Sequence, residues 1–293
     1  CGATDMGTTS LHMRIIHDKF CELTKGTLVG AAVTGRPVAN GGIPGRDEAT
    51  ALGGIIVFEK LRSQDPCAPK LRKTPTVIVQ GLGQVGGNFV TIASERGYKI
   101  IGVSNISGGV FNKSGIDLSE LPRMPNGKID PNGSLAGLTG EHVSTGDILC
   151  KPCDILVPAA MENVITSENS ERINAKIILQ LANHPVVENA AKSLSERKIY
   201  LVPDILANAG GVSASFLEWS FSLGHPRHKF QIMQTREEVD ASLKGIMENA
   251  TDQVLWYATK YGTDLTGAAW LKSTQRISEA LLDKHGEFYE TRK

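Results

Sequence analysis

The run Thr76-Val-Ile-Val-Gln80, followed at once by Gly81-Leu-Gly83-Gln-Val-Gly86, constrains this chain more than any other feature. A short β-branched apolar run leads into three glycines, and an amphipathic run at 84–96 leads out of them. In a strand-to-helix turn of this pattern each glycine has its own task. The first permits the tight turn, the second clears a path for a pyrophosphate to the backbone, and the third lets helix and strand pack closely. The helix N-terminus then offers its free N–H groups to the anion. The pattern by itself also fits a Gly-rich β–α turn with no ligand. Strand, glycines, helix and a second strand at 99–104 fall here in the order that a dinucleotide site requires.

The same alternation recurs along the chain. Strands are expected at 76–80, 99–104, 153–157, 176–182 and 199–202, and helices at 47–62, 84–96 and 186–196. A Pro/Asn/Gly-rich stretch at 121–140 interrupts them. Upstream, 8–25 reads as a helix capped by Thr8, Thr9 or Ser10, with Leu11, Ile15, Ile16, Phe20 and Leu23 on one side. Residues 27–33 read as a strand and 34–46 as a Gly-rich loop, while the C-terminal part beyond about 208 is mostly helical. Short apolar runs alternating with amphipathic helices imply an α/β chain with a parallel sheet covered on both faces, a Rossmann-like doubly wound fold.

Composition narrows the partners. Lys plus Arg and Asp plus Glu both number 31, so no net charge favours nucleic acid or an anionic membrane. No apolar run reaches the length of a membrane span. The start, Cys1-Gly-Ala-Thr-Asp5, has neither signal-peptide nor transit-peptide character, and without an initiating Met the natural N-terminus is expected upstream. Five scattered cysteines point to a reducing compartment, the cytoplasm with the mitochondrial matrix as the alternative. Cys150-Lys-Pro-Cys153 has redox spacing, but Cys153 opens the apolar run CDILVPA, a buried strand, where a redox pair needs a helix N-terminus. It reads as a buried cysteine with a chance neighbour, and no second pair completes a zinc site.

A dinucleotide site of this kind places an acidic residue about 20 residues beyond the glycines, at the end of the second strand. Asn105 stands there. An amide can accept from a ribose hydroxyl and does not repel a 2′-phosphate, yet no arginine lies beside it to attract one. NAD and NADP both remain open, with a lean to NAD.

Four separated blocks, in order, resemble the Glu/Leu/Phe/Val dehydrogenase family and within it the glutamate enzymes. They are Ala3-Thr-Asp5-Met-Gly7-Thr8; Thr34-Gly-Arg36-Pro37 through Gly41-Gly-Ile-Pro-Gly45-Arg46 to Ala49-Thr50; the glycine block with Val157-Pro-Ala159-Ala160; and Asn208-Ala-Gly-Gly-Val212-Ser-Ala-Ser215-Phe-Leu-Glu218-Trp219. Tyr261-Gly-Thr-Asp264-Leu265 and the final helix also fit.

The resemblance implies roles residue by residue. Asp5 matches the aspartate that relays protons to and from the amino nitrogen. Arg46 and Thr50 match cofactor-side positions, and Gly81, Gly83, Gln84, Val85 and Gly86 the pyrophosphate turn. Ala159, Ala160 and Asn183 match the wall along the nicotinamide ribose. Asn208 matches a residue touching cofactor and substrate, and Val212 and Ser215 match positions lining the pocket for the substrate side chain. Residues 1–51 would then be a remnant of a substrate and dimerisation domain, 52–230 the NAD(P)-binding domain, and 231–293 helices returning to the substrate domain.

The implied activity is NAD(P)-dependent oxidative deamination of glutamate to 2-oxoglutarate and ammonia. The implied partners are a small amino acid or 2-oxo acid and, in a full-length form, further copies of the chain. A non-catalytic nucleotide-binding relative and a branched-chain amino-acid dehydrogenase are the alternatives. The sequence departs from the family in three ways. The lysine-bearing substrate region that precedes the Asp5 block in the family is not in these 293 residues, so the chain alone is expected to be weak or inactive. Gln180-Leu181-Ala-Asn183-His184-Pro185 replaces a usual E-G-A-N-G-P, and Leu181 and His184 are expected to add bulk beside the nicotinamide. Asn105 is the third departure.

Overall fold

The computed structural model describes residues 1–5, 7–26, 32–223 and 235–290, without the side chains of 283–290. The strand expected at 27–33 lies mostly outside the described residues, as does Met6 of the first block.

A seven-stranded sheet organises the molecule. Its strands are β1 (Thr76–Gln80), β2 (Lys99–Asn105), β3 (Gly108–Phe111), β4 (Glu141–Val143), β5 (Cys153–Pro158), β6 (Ala175–Leu179) and β7 (Tyr200–Val202), in the spatial order β4-β3-β2-β1-β5-β6-β7. β2, β1, β5, β6 and β7 run parallel. The helices are α1 (Ser10–Leu23), α2 (Ala49–Gln64), α3 (Gln84–Glu95), α4 (Glu188–Glu196), α5 (Asp204–Ala207), α6 (Ala209–Ser222), α7 (Arg236–Tyr261) and α8 (Leu265–Glu290). The expected Rossmann-like α/β arrangement is therefore present.

Alternation along the strands builds two cores. Val77, Val79, Val103, Ile155, Val157 and Ile177 face one way, with Leu61 of α2, Phe89 of α3 and Leu217 of α6. Ile78, Ile101, Leu156 and Ile178 face the other way, with Ile173 and with Leu194 of α4. Every β1 residue is buried, as expected for a parallel strand covered on both faces. Val239, Leu243 and Met247 of α7 and Leu265 of α8 join the first of these cores.

Three local readings differ from expectation. β6 ends at Leu179, because the amides of Leu181 and Ala182 both turn to the Pro158 carbonyl, at 3.1 and 2.9 Å. β3 and β4 extend the sheet antiparallel beyond β2; Gly108 and Gly109 are poor strand formers, which hid them in the sequence. Helix α1 forms with Thr9 as its N-cap, but Leu11, Ile15, Ile16 and Leu23 are exposed and Met13 is its one buried residue. No described element covers its apolar side. Among the described residues, no helix is long and apolar enough to cross a membrane, and no group of three or more His, Cys, Asp or Glu is placed to hold a metal ion.

Candidate cofactor and substrate cleft

From β1 the chain crosses to β2 on one side and later to β5 on the other, so the strand order reverses at β1. In open parallel sheets, ligands bind in the crevice beyond the C-terminal ends of the strands at such a reversal. The glycine block lies in that crevice. Gly81 leaves β1 with φ of +96°, and a Cβ there would lie 2.7 Å from the Ala160 Cβ beyond β5. A Cβ on Gly86 would meet the Gly81 carbonyl oxygen at 1.8 Å. Gly83 differs, for a Cβ on it would meet nothing within 4 Å. Two glycines are thus demanded by the turn itself, while the second faces open space at the start of α3, where a pyrophosphate would approach. Beneath it, Gln80 Oε1 and Ser104 Oγ, on register partners at the ends of β1 and β2, are buried without a protein hydrogen-bond partner.

Helices α2 and α6 approach each other closely, and glycines let them touch. A Cβ on Gly210 would strike the Ala49 carbonyl oxygen at 2.1 Å, and one on Gly211 would strike Thr50 Oγ1 at 2.4 Å. This close approach sets Thr50 and Arg46 beside α6. Arg46 Nε donates to Ser215 Oγ at 2.9 Å. Burial pushes the Arg46 guanidinium pKa below its ordinary value, opposed by the negative charges of Glu218 and Asp47. At the N-terminal end of α6, Asn208 Nδ2 donates to Asn183 Oδ1 at 2.7 Å. Val212 on the same helix is exposed.

The loop carrying Arg46 is anchored by Glu218, which is fully buried. Its carboxylate accepts from Gly35 N at 2.8 Å, from Arg36 N at 3.3 Å and from Arg36 Nε at 3.1 Å. Segment 1–5 is tied to the same place. Gly2 N donates to Ala32 O at 3.0 Å, Thr34 N donates to Gly2 O at 2.9 Å, and Thr4 packs on Gly35. Asp5 follows Thr4, exposed, with Thr8 Oγ1 bonded to both its backbone N–H and its carbonyl at 2.8 Å.

The structure thus brings Arg46 to Ser215, Thr50 to Gly211 of the same helix, Asn208 to Asn183, and Gly81 against Ala160. Gln84 and Val85 open α3, and Gln84 Nε2 reaches the Asp47 carbonyl and carboxylate, both at 3.2 Å. Asn105 ends β2 where expected, but its amide is otherwise engaged. Oδ1 accepts from Ser107 N at 2.8 Å and from Ser107 Oγ at 2.7 Å, and Nδ2 donates to Gly133 O at 2.8 Å. Both lone pairs of the oxygen are used, so Asn105 as placed holds the turn and has no acceptor left for a ribose.

Leu181 corrects another expectation. It is buried, with Cδ2 2.4 Å from where a Gly54 Cβ would be, so its bulk fills the space that glycine leaves on α2. Sequence reasoning overlooked Glu218 as an anchor, and likewise Asp47, which Gln84, Asn88 and Lys128 all contact. Arg36 and Glu218 belong to two different family-like segments 182 residues apart, and that separation concealed the pairing. Two surface concavities, of about 480 and 440 Å³, lie away from the crevice. The larger is lined by Arg62, Lys73, Pro75 and Tyr98, at the N-terminal ends of β1 and β2.

Comparison with known proteins agrees with this geometry. The catabolic NAD-specific glutamate dehydrogenase RocG of Bacillus subtilis is 34% identical over 278 residues, covering 95% of this chain and 62% of the relative. The NAD-specific glutamate dehydrogenase of Staphylococcus aureus (strain COL) is 33% identical over 278 residues, covering 95% of this chain and 64% of the relative. The chain therefore spans under two thirds of the length of these curated relatives. Among solved structures, the hetero-hexameric glutamate dehydrogenase from Thermus thermophilus, in its Leu-bound form, superposes with a TM-score of 0.82 at 28% identity, covering 95% of this chain and 63% of that one. The glutamate dehydrogenase from Peptoniphilus asaccharolyticus gives 0.74 at 30% identity, covering 97% and 65%. The sequence profile of the Glutamate/Leucine/Phenylalanine/Valine dehydrogenases matches residues 41–285, from the loop that carries Arg46 into the last helix, and to that family this chain belongs.

Proposed function

We propose that the chain is the cofactor-binding part of an NAD-dependent glutamate dehydrogenase, forming 2-oxoglutarate and ammonia. The observation that carries the cofactor reading is the contrast among the glycines. Gly81 and Gly86 are filled against the protein, while Gly83 faces open space at the strand-order reversal. The lean to NAD rests on the NAD-specific relatives. We divide the chain into 1–51 and 231–293, belonging with a substrate domain, and 52–230, the cofactor domain. In a full-length form we expect an oligomer of identical chains.

When bound, the nicotinamide supplies the acceptor for a hydride from the substrate Cα. The protein's part is to hold, orient and exchange protons. Asp5 is the residue we assign to take the proton from the amino nitrogen. Asn208, fixed by Asn183, positions substrate and cofactor together, and Ala159 and Ala160 shape the ribose wall. Thr50 sits on the nicotinamide side, and Val212 lines the substrate cleft.

The preference for glutamate rests on Ser215. Its hydroxyl oxygen accepts from Arg46, so its own proton can be donated to a side-chain carboxylate. A leucine side chain there would leave that proton without an acceptor, at a cost to leucine binding. The test is calorimetric titration with NAD and NADP, then cofactor reduction with glutamate, leucine, valine and phenylalanine, on this chain and on a longer natural form. Tighter binding of NAD, and glutamate turnover that is weak in this chain and strong in the longer form, are expected. No binding of either dinucleotide at millimolar concentration would favour a non-catalytic relative, and a preference for leucine would overturn the role of Ser215.

A further inference from the structure

His184 holds a backbone conformation that its side chain makes costly. Its φ is +45°, in the left-handed region. The other non-glycine residues with positive φ among those described are Lys25, Asn163 and Lys198. Lys25 and Lys198 lie just past the ends of α1 and α4, where a left-handed stop is ordinary. Asparagine tolerates the region through its short polar side chain. His184 follows no helix; it lies in the loop between β6 and α4.

The scaffold imposes this shape. The His184 amide donates to Asp204 Oδ2 at 2.7 Å, its carbonyl accepts from Asn163 N at 2.9 Å, and Pro185, next in the chain, is held through its carbonyl by Ile165 N at 2.9 Å. Glycine would meet the same backbone bonds with less strain. The imidazole contributes nothing to them, and it is exposed. A strained conformation kept for a side chain that the fold does not use is the kind of outlier from which a functional role follows.

The position gives the role. Ala182, two residues earlier, donates to Pro158 O at the end of β5, and Asn183 holds Asn208. His184 therefore stands beyond β5 and β6. Across the reversal at β1, one half of a dinucleotide lies toward β2 and the nicotinamide half toward β5 and β6. We infer that His184 is a contact for the nicotinamide half of the bound cofactor, its imidazole offering one donor and one acceptor to the ribose hydroxyls. This rests on the cofactor reading above and gives His184, expected from the sequence only to add bulk beside the nicotinamide, the role of a contact.

The experiment measures NAD and ADP binding by calorimetry on the whole chain, in the wild type and in His184→Gly, with thermal unfolding of both. ADP carries only the adenosine half. The expected result is a Tm no lower than that of the wild type, NAD affinity weakened about tenfold, as for the loss of one or two neutral hydrogen bonds, and ADP affinity unchanged. His184→Asn, which tolerates the same φ and keeps a donor and an acceptor, is expected to recover part of the loss. Equal NAD affinity in wild type and His184→Gly overturns the inference. So does a parallel loss of NAD and ADP affinity, which would mark a general distortion. A wild-type chain that binds neither ligand overturns the cofactor reading itself and the inference with it.

Discussion

Arg36 and Glu218 form an ion pair almost sealed from water. Nε lies 3.1 Å from Oε1, and the side chains keep 4% and 0% of their exposure. The pair joins the loop that carries Arg46 to the helix that carries Ser215. Leaving either charge unpaired in such a place costs about 3–5 kcal/mol, because the survivor stays buried. Glu218→Gln and Arg36→Met are therefore each expected to lose that much stability in urea unfolding, and the double variant less than the sum. A loss below about 1 kcal/mol for Glu218→Gln would show that water reaches the pair.

The glycines of the first turn should separate folding from binding. Gly86→Ala places a methyl group 1.8 Å from the Gly81 carbonyl, so the turn must open and stability should fall by more than about 2 kcal/mol. Gly83→Ala meets nothing in the protein and should leave Tm nearly unchanged. It should still weaken NAD binding more than tenfold, since the methyl group occupies the path of the pyrophosphate. Unchanged NAD affinity in Gly83→Ala would place the dinucleotide elsewhere.

Leu181 should prove to be a packing residue. Its side chain fills the space above Gly54, so Leu181→Gly opens a cavity and adds backbone freedom. A loss of about 3–5 kcal/mol is expected, with no gain in NAD affinity. Improved cofactor binding would mean that the leucine obstructs the cleft after all.

How much was legible beforehand follows from the range of each signal. The turn at 81–86 was readable because strand, glycines and helix are contiguous. The buried β1 strand and its parallel neighbours were readable from unbroken apolar runs. Helix α1 was readable as a helix, yet the exposure of Leu11 and Ile15 was not, because periodicity reports an apolar face and says nothing of what covers it. Asn105 was located correctly at the end of β2. Its engagement with Ser107 and Gly133 depends on a turn and on a loop 28 residues away, which no local pattern encodes. Leu181 looked like an obstruction for the same reason, since the space it fills belongs to Gly54 on another helix.

Cys153 gives a chemical check on the same reasoning. Burial, and then the nearby Asp154 charge, push its thiol pKa well above the ordinary value. The thiolate is the reactive form, so Cys153 should resist alkylation at pH 8 while exposed Cys1 and Cys67 react. Mass spectrometry after brief iodoacetamide treatment reads this directly. Rapid labelling of Cys153, or a Cys150–Cys153 disulfide under mild oxidant, would restore the redox reading of that pair.

The pH dependence of stability should carry the mark of Asp154. Its side chain is 1% exposed at the start of β5, with Arg72 Nε 2.7 Å from Oδ2 and Lys176 Nζ 2.9 Å from Oδ1. The amide and hydroxyl of Thr76 both donate to Oδ2 at 2.9 Å. Burial alone would raise the carboxyl pKa, but the bonds from Thr76 and Lys176 outweigh it and hold the group below its ordinary value. A carboxyl depressed in the folded state binds its proton more readily when unfolded. Its contribution is therefore fully present above the unfolded value, about 3.9, and is lost as pH falls through the lower folded value. Asp154→Asn keeps the shape, removes the charge and leaves two half-exposed cations without their partner. At pH 7 a loss of about 2 kcal/mol is expected, less than for a fully buried pair because water still reaches Arg72 and Lys176. The gap between wild type and variant should hold from pH 7 to about 5 and then narrow as pH falls below the unfolded value. A gap that stays constant down to pH 2 would mean that Asp154 stabilises the sheet through the shape of its hydrogen bonds and not through its charge.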